Sequence, residues 1–362
     1  MKILYAIQGT GNGHLSRARD IIPCLKKRGD VDVLVSGCQA DLELPYEIKF
    51  HFNGLSFIFV KKGGIDYFET YKKSNLKNLF HEIVQLPVND YDIIISDFEP
   101  VSAWACYIKN RPCIGLSHQI GVVNKRAPHP PKNDLIGKAV LKYYAPAAIK
   151  YGFHFLEYDK HIYTPVIRDE VRQLTVSNKG HYVVYLPAYG DEKIIRMLAC
   201  FPDVEWHVFS KHNQTAYSAD NIAVLPIYNE AFLESLSGAE GVLCGAGFET
   251  PAEVLFLQKK LMVIPMKGQY EQQCNAAALK ALGVPVLKNL KMKQLKKIQH
   301  WLSEENMVSV SFPNETDSII DAIINKFLKE KEPPKLRAKP INTPSRFREF
   351  VLKKIFSQLE TK

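Results

Sequence analysis

Short apolar runs alternate with helical patterns through the first third of this chain, and after residue 181 the alternation starts again. Residues 2–7, 31–36, 57–61, 93–96 and 113–117 are rich in Ile, Leu, Val and Phe and largely lack the alternating polar positions of a strand with one wet face. Such strands are covered on both sides, the condition of a parallel sheet held between helices. Apolar residues at helical spacing over 13–27, 68–85 and 101–109 supply those helices, with Pro23 expected to interrupt the first. The second series has strands at 181–186, 205–209 and 222–225 and helices at 191–200 and 230–237. With 362 residues the chain is long enough for two domains of ordinary size. The fold class is therefore α/β, with two doubly wound, Rossmann-like domains. The first spans 1–160 and the second 175–330, with the changeover inside 158–178. Residues 329–345 have the Lys- and Pro-rich composition of a linker, and 345–362 return to helical spacing through Phe347, Phe350, Val351 and Ile355.

Within the second series, 241–276 carries the most chemistry. An apolar run from Val242 to Cys244 ends in the turn Gly245-Ala246-Gly247, and a helix is expected to open at Thr250. Pro251 suits a first helical position, and Thr250 with Glu253 has the T-x-x-E spacing of a capping box. A strand, a glycine turn and a helix N-terminus together cradle phosphate, although a well-capped helix without a ligand accounts for the same residues. A second apolar run ends at Pro265, and Glu271-Gln272 with Asn275 opens another helix. Two adjacent strand-to-helix turns thus put polar side chains on one edge of one sheet.

This arrangement resembles the donor-sugar signature of the UDP-sugar glycosyltransferases with the two-domain GT-B fold. That group includes plant and animal UDP-glycosyltransferases and the bacterial enzyme that adds N-acetylglucosamine to the peptidoglycan lipid precursor. The resemblance implies two domains facing a central cleft, with the last helix, 345–362, packing back on the N-terminal domain. It implies a pyrophosphate contact for Thr250 in the Gly245-Ala246-Gly247 turn and a ribose contact for Glu253. Glu271 and Gln272 would address hydroxyls of the donor sugar. Two positions depart from the pattern: Gly245 stands where many members carry a basic or imidazole side chain, and Lys260 where a glycine is usual.

Directly after the first expected strand comes Gln8-Gly9-Thr10-Gly11-Asn12-Gly13-His14. Glycines there permit close approach of backbone to a ligand at the carboxyl end of a strand. A dinucleotide-binding domain would want an acid at the end of the second strand, near Ser36-Gly37-Cys38, and none occurs before Asp41. His14 in a glycine-rich loop does resemble the corresponding loops of the glycosyltransferases just named, which implies an acceptor-side loop of Gly11, Asn12 and Gly13 and a general-base role for His14. A structural histidine at a helix start is the alternative. Asp97 follows the strand 93–96 and falls on the same edge, where the resemblance implies an acid that orients the imidazole, Asp97 as the base itself being the alternative; Glu99 and His118 are further acceptor-side candidates.

Two D-x-D triplets, Asp30-Val31-Asp32 and Asp90-Tyr91-Asp92, precede strands and so fall at the amino edge, away from the expected ligand. No metal and no bound cofactor are expected, the nucleotide-diphosphate sugar being a co-substrate. Seven cysteines without a C-x-x-C pair argue against a disulfide framework or zinc ribbon. The first apolar run is too short for a signal peptide and no run reaches about 18 apolar residues, so a cytoplasmic protein is expected. The net charge of +9 favours anionic partners. Residues 122–150 read as a basic, Pro-rich loop and a basic helix, either a solvated face or a place for peripheral membrane contact or an acidic acceptor. No nucleic-acid partner is expected, for lack of a binding motif. The resulting expectation is a metal-independent, inverting glycosyltransferase that moves a sugar from a UDP-sugar to a hydroxyl of a glycan, lipid-linked or small-molecule acceptor. A sugar-nucleotide 2-epimerase of the same fold and a non-catalytic sugar-nucleotide or nucleic-acid binder are the alternatives.

Overall fold

The computed structural model describes residues 1–37, 44–55, 59–60, 64–65, 76–132, 134–305, 307–336, 343–347 and 349. Its first sheet contains β1 (Lys2–Gln8), β2 (Asp30–Ser36), β3 (Phe50–Phe52), and, after a separate two-stranded hairpin of β4 (Phe59–Val60) and β5 (Gly64–Ile65), β6 (Ile93–Asp97), β7 (Ile114–Ser117), β8 (Ile149–Phe153) and β9 (Ile162–Tyr163). The spatial order is β3-β2-β1-β6-β7-β8-β9, and the paired strands run parallel. The order reverses between β1 and β6, so a crevice opens where the chain leaves those two strands in opposite directions. Register levels the strand ends there: Ile7 sits beside Asp97 and Gln8 beside Ser36.

The second sheet holds β10 (Tyr182–Tyr185), β11 (Trp206–Ser210), β12 (Tyr217–Ala219), β13 (Ile222–Pro226), β14 (Gly241–Gly245) and β15 (Lys260–Ile264). Its order is β12-β13-β11-β10-β14-β15, parallel except for the β12–β13 hairpin, and it reverses between β10 and β14. The chain is therefore α/β with two Rossmann-like sheets, as the alternation predicts. Helices α1 (Asn12–Lys26), α2 (Leu76–Gln85), α3 (Pro100–Ile108), α4 (His118–Val122) and α5 (Leu135–Tyr143) accompany the first sheet. A single turn, α6 (Asp169–Arg172), precedes α7 (Asp191–Leu198), α8 (Asn229–Gly238), α9 (Glu249–Phe256), α10 (Tyr270–Ala281), α11 (Leu295–Ser303) and α12 (Thr316–Lys329). Among the described residues no helix is long and apolar enough to cross a membrane.

The period of two along β1 sorts its side chains into two layers. Ile3, Tyr5 and Ile7 join the core of α1, while Leu4 and Ala6 join α2 and α3. Each of these residues is wholly buried, and a large apolar side chain so placed contributes about 1.5–3 kcal/mol. The α1 layer continues into α12 through Ile319, Ile320, Ile323 and Ile324. Arg28, just past α1, bonds Asp317 at 2.8 Å and Asp321 at 3.2 Å on α12. Phe347 is completely buried in the opposite layer of the first sheet, against Phe80 and Trp104.

Several expectations are corrected. Helix α1 runs through Pro23 without interruption. A proline orphans the carbonyl four residues earlier, and here the Tyr46 hydroxyl donates to the Arg19 carbonyl at 3.2 Å. The segment 122–150 contains the helix Leu135–Tyr143 and also the start of β8, a strand not expected there. The expected strand at 57–61, helix at 68–85 and final helix at 345–362 each fall partly outside the described residues. The D-x-D triplets do lie at the amino edge: Asp30 pairs with Lys2 in register, and Asp92 accepts the Lys2 amide at 2.7 Å. Lys260, at the opposite end of β15 from the turn, is a buried scaffold cation, bonded to Glu240 at 2.7 Å and to the Tyr182 hydroxyl at 3.2 Å.

Candidate active site

Both reversal points carry the side chains that the sequence put there, and they face each other across the two sheets. After β1 the chain turns through Gly9, where a Cβ would come within 3.0 Å of the Ser36 carbonyl, and Gly11, whose φ is 102°. The turn delivers Asn12 to the start of α1 and His14 to its first turn. After β6 the backbone bends through Phe98 in the left-handed region, φ 55°. That conformation is costly for a bulky residue and marks a position fixed by its surroundings. Phe98 stacks on Tyr144 with centroids 4.8 Å apart, which leaves Asp97 facing the crevice.

His14 Nδ1 lies 2.8 Å from Asp97 Oδ1, the imidazole 13% exposed and the carboxylate wholly buried. The imidazole Nε2 meets the side-chain amide nitrogen of Gln119 at 3.3 Å. Sequence reasoning missed the centre of this network. Arg17, one turn along α1 and 1% exposed, donates to both Asp97 oxygens at 2.8 Å and forms an ion pair with Glu249, at the start of α9. Burial alone would raise the Asp97 carboxyl, but Arg17 and then His14 hold it below its ordinary value. Glu249, the second carboxylate on one guanidinium, is pushed up to about 7 by burial. Glu271 opens α10 and accepts from Gln119 at 3.1 Å; burial raises its carboxyl too. Gly13 lets the two halves approach closely here, since a Cβ there would sit 3.2 Å from Glu249 Cγ.

Two acceptor-side candidates are scaffold. Glu99 is wholly buried and caps α3, accepting from Val101 N and Ser102 N at 2.6 Å each and from the Ser36 hydroxyl at 2.7 Å. His118 is 1% exposed, with Nδ1 2.9 Å from the Phe153 carbonyl and Nε2 2.8 Å from the Asn275 side-chain amide. Its ring stacks on Phe248 at 3.6 Å, and burial drives its pKa down to about 3. An imidazole with both nitrogens occupied and its faces packed joins the two halves and is closed to an acceptor.

On the donor side, α9 begins at Glu249, two residues earlier than the T-x-x-E spacing implied with Pro251 first, and no side chain caps it. Thr250 is thus inside the first turn, and Glu253 does not reach back to a cap. Glu253 is 4% exposed and held by Arg168 through two bonds, at 2.6 and 3.0 Å. A Cβ on Gly245 or Gly247 would meet nothing within 4 Å, so the turn is open on that side, while Ala246 is buried and its carbonyl accepts from Asn275 at 3.2 Å. Uncapped first-turn N–H groups beside an open glycine turn are equipped to take an anion. Gln272 accepts the Met266 amide at 2.9 Å, which ties it to the loop after β15.

The folded pKa of Glu249 exceeds its ordinary 4.5. Its contribution to stability is therefore complete below that value and disappears as pH rises through about 7. Asp20, raised by burial to about 6, adds a step of the same sign. Thermal melts between about pH 5 and 8 are expected to show a steeper decline in the parent than in Glu249→Gln, where the Asp20 step alone remains. Parallel curves would place the Glu249 carboxyl in its ordinary range.

The sequence profile of glycosyl transferase family 1 matches residues 1–304. No curated protein sequence matches the chain. Among solved structures, the glycosyltransferase SsfS6 of Streptomyces sp. SF2575, complexed with thymidine diphosphate, is 10% identical over 98% of this chain and 99% of its own, with a TM-score of 0.54. Arabidopsis thaliana UGT89C1 complexed with UDP-L-rhamnose is 13% identical, with the same coverage and a TM-score of 0.53. Acinetobacter baumannii MurG is 13% identical over 97% of this chain and 99% of its own, with a TM-score of 0.50. At these identities the likeness is one of fold.

Proposed function

This chain belongs to glycosyl transferase family 1 and is a glycosyltransferase, and we propose that it moves a sugar from a UDP-sugar to an acceptor hydroxyl, with inversion and without a metal. One observation carries the reading: a carboxylate-held imidazole at the reversal point of the first sheet faces an open glycine turn and uncapped helix at that of the second. Family membership sets aside the epimerase and the non-catalytic binder.

In this reaction His14 donates Nδ1–H to Asp97, which leaves Nε2 to take the acceptor proton in place of its contact with Gln119. The freed oxygen bonds to the anomeric carbon as the bond from that carbon to the diphosphate oxygen breaks on the opposite face. Charge gathering on the diphosphate is stabilised by the first-turn N–H groups and dipole of α9, with Thr250 as a hydroxyl donor. This supplies the compensation that the side chain absent at Gly245 would otherwise give. Both D-x-D triplets stand at the far edge, with Asp32 engaged by Lys49 and Tyr91 at 2.7 Å each, and we assign them no metal. The thymidine diphosphate of SsfS6 and the UDP-L-rhamnose of UGT89C1 support a pyrimidine-nucleotide donor.

Glu253 tests the donor assignment. Its carboxylate retains lone pairs for ribose hydroxyls while Arg168 holds it. The parent is expected to bind UDP about tenfold or more tighter than 2′-deoxy-UDP, the size of a hydrogen bond to a charged group. Glu253→Gln should erase most of that discrimination, as read by titration calorimetry. Equal affinity of the parent for both nucleotides would remove Glu253 from the ribose, and absence of any nucleotide binding would overturn the donor reading.

A further inference from the structure

The cation that holds Glu253 comes from neither sheet. Arg168 stands between β9 and β10, immediately before α6, in the segment that joins the two halves of the chain. Its Nε donates to Glu253 Oε1 at 2.6 Å and its Nη2 to Oε2 at 3.0 Å. Two parallel bonds to two oxygens fix the plane of a carboxylate as well as its place, which a point charge cannot do. Each oxygen keeps a second lone pair, and among the described residues no other group donates to either.

The guanidinium is itself braced. Nη1 donates to Glu170 Oε1 at 3.0 Å and to Asn229 Oδ1 at 3.1 Å, and Asn229 Nδ2 closes the ring by donating to Glu170 Oε2 at 2.7 Å. Four of the five N–H groups of an arginine are thereby committed. The turn beneath is tied to α1, where Asp20 Oδ1 accepts the Asp169 amide at 3.0 Å and Arg19 lies 3.7 Å from Glu170. The helix that carries His14 and the carboxylate assigned to the ribose therefore rest on one support. Neutralising a buried carboxylate needs only a cation nearby, whereas this arrangement also sets its direction.

We propose that Arg168, braced by Glu170 and Asn229, is a positioning residue for the donor, holding the Glu253 carboxylate in the plane where its free lone pairs accept from the two ribose hydroxyls. The chain would thus select a ribonucleotide over a 2′-deoxyribonucleotide through a residue that itself touches no part of the donor. The proposal rests on the reading of Glu253 as the ribose ligand, and goes beyond it in making the fork, and not charge alone, the source of the selection.

The test titrates UDP and 2′-deoxy-UDP calorimetrically into the full chain as parent, Arg168→Lys, Glu253→Gln and Arg168→Lys/Glu253→Gln, with thermal melts to show that each is folded. Lysine keeps the charge and loses the fork, so Arg168→Lys is expected to reduce a preference of about tenfold or more to about threefold or less. In the Glu253→Gln background the same change should move the preference by no more than about twofold, since a residue that acts through Glu253 has nothing left to act on. Parental preference in a folded Arg168→Lys protein overturns the proposal, as does an equal effect of Arg168→Lys with and without the Glu253 carboxylate. A parent that binds both nucleotides equally overturns the ribose reading itself, and the proposal with it. Should Arg168→Lys fail to fold, Glu170→Ala/Asn229→Ala decides the matter, because both side chains reach solvent and the Arg168–Glu253 pair is left in place. Its preference is expected to fall by at least about threefold, and an unchanged preference overturns the proposal.

Discussion

His14→Ala is expected to lose at least about a hundredfold in transfer rate while keeping UDP affinity and thermal stability near parental values. A general base typically supplies about 10²–10⁴-fold in rate, whereas a side chain that only caps or packs supplies about 1 kcal/mol of stability. The surroundings favour the first role. The imidazole is 13% exposed while its carboxylate partner is wholly buried, so the ring is oriented from below and open above. Asp97→Asn should lose less than His14→Ala, because the amide can still accept from Nδ1–H but no longer favours the protonated ring. Single-turnover rates with saturating donor read the chemical step directly. Undiminished transfer by His14→Ala would move the base role to Asp97 or Glu271, since Glu99 and His118 are both consumed by the scaffold.

The second large effect is on stability. Arg17→Met is expected to cost about 3–5 kcal/mol, because it leaves the Asp97 and Glu249 carboxylates in a buried site without a counter-charge. At about 2–4 °C per kcal/mol, that lowers the melting temperature by roughly 10 °C. Removing the charges together is a different matter. The triple variant Arg17→Met/Asp97→Asn/Glu249→Gln should recover most of the loss, since buried ion clusters are often replaceable by neutral groups of similar volume at little cost. Its transfer rate should stay low, which separates the folding role of the cluster from its role in holding His14. Failure of the triple variant to recover would mean that Arg17 acts through packing alone. Its guanidinium does lie 5.6 Å from the Phe153 ring centroid.

The fold was readable because its strands are apolar on both faces, a pattern with few alternatives over so many repeats. The strand ends followed, and with them His14, Asp97 and the Gly245–Gly247 turn. Arg17 escaped because an arginine on a helix ordinarily reads as solvent-facing. Its signal was nevertheless present: residues 17, 18, 21 and 25 form one buried stripe of α1 in which Arg17 interrupts the apolar series, three positions after His14. Glu249 escaped for another reason. The T-x-x-E spacing of Thr250 and Glu253 offered a complete local explanation, whereas the true partners, Arg17 for Glu249 and Arg168 for Glu253, lie 232 and 85 residues away. Local hydrogen-bonding rules cannot see a competitor supplied by tertiary structure. Strands β8 and β9 were missed because the lysines and prolines preceding them outweighed a short aromatic run whose burial is decided by neighbours in the sheet.

Phe347, sealed between Phe80 and Trp104, has a consequence for synthesis. The layer formed by α2 and α3 is made early, but the ring that completes it leaves the ribosome after the whole second sheet. At about 5–20 residues per second, roughly 10–50 s separate the two events. Through that interval the nascent first half carries an open apolar seat, a natural holding point for a chaperone, and translation speed becomes a determinant of yield.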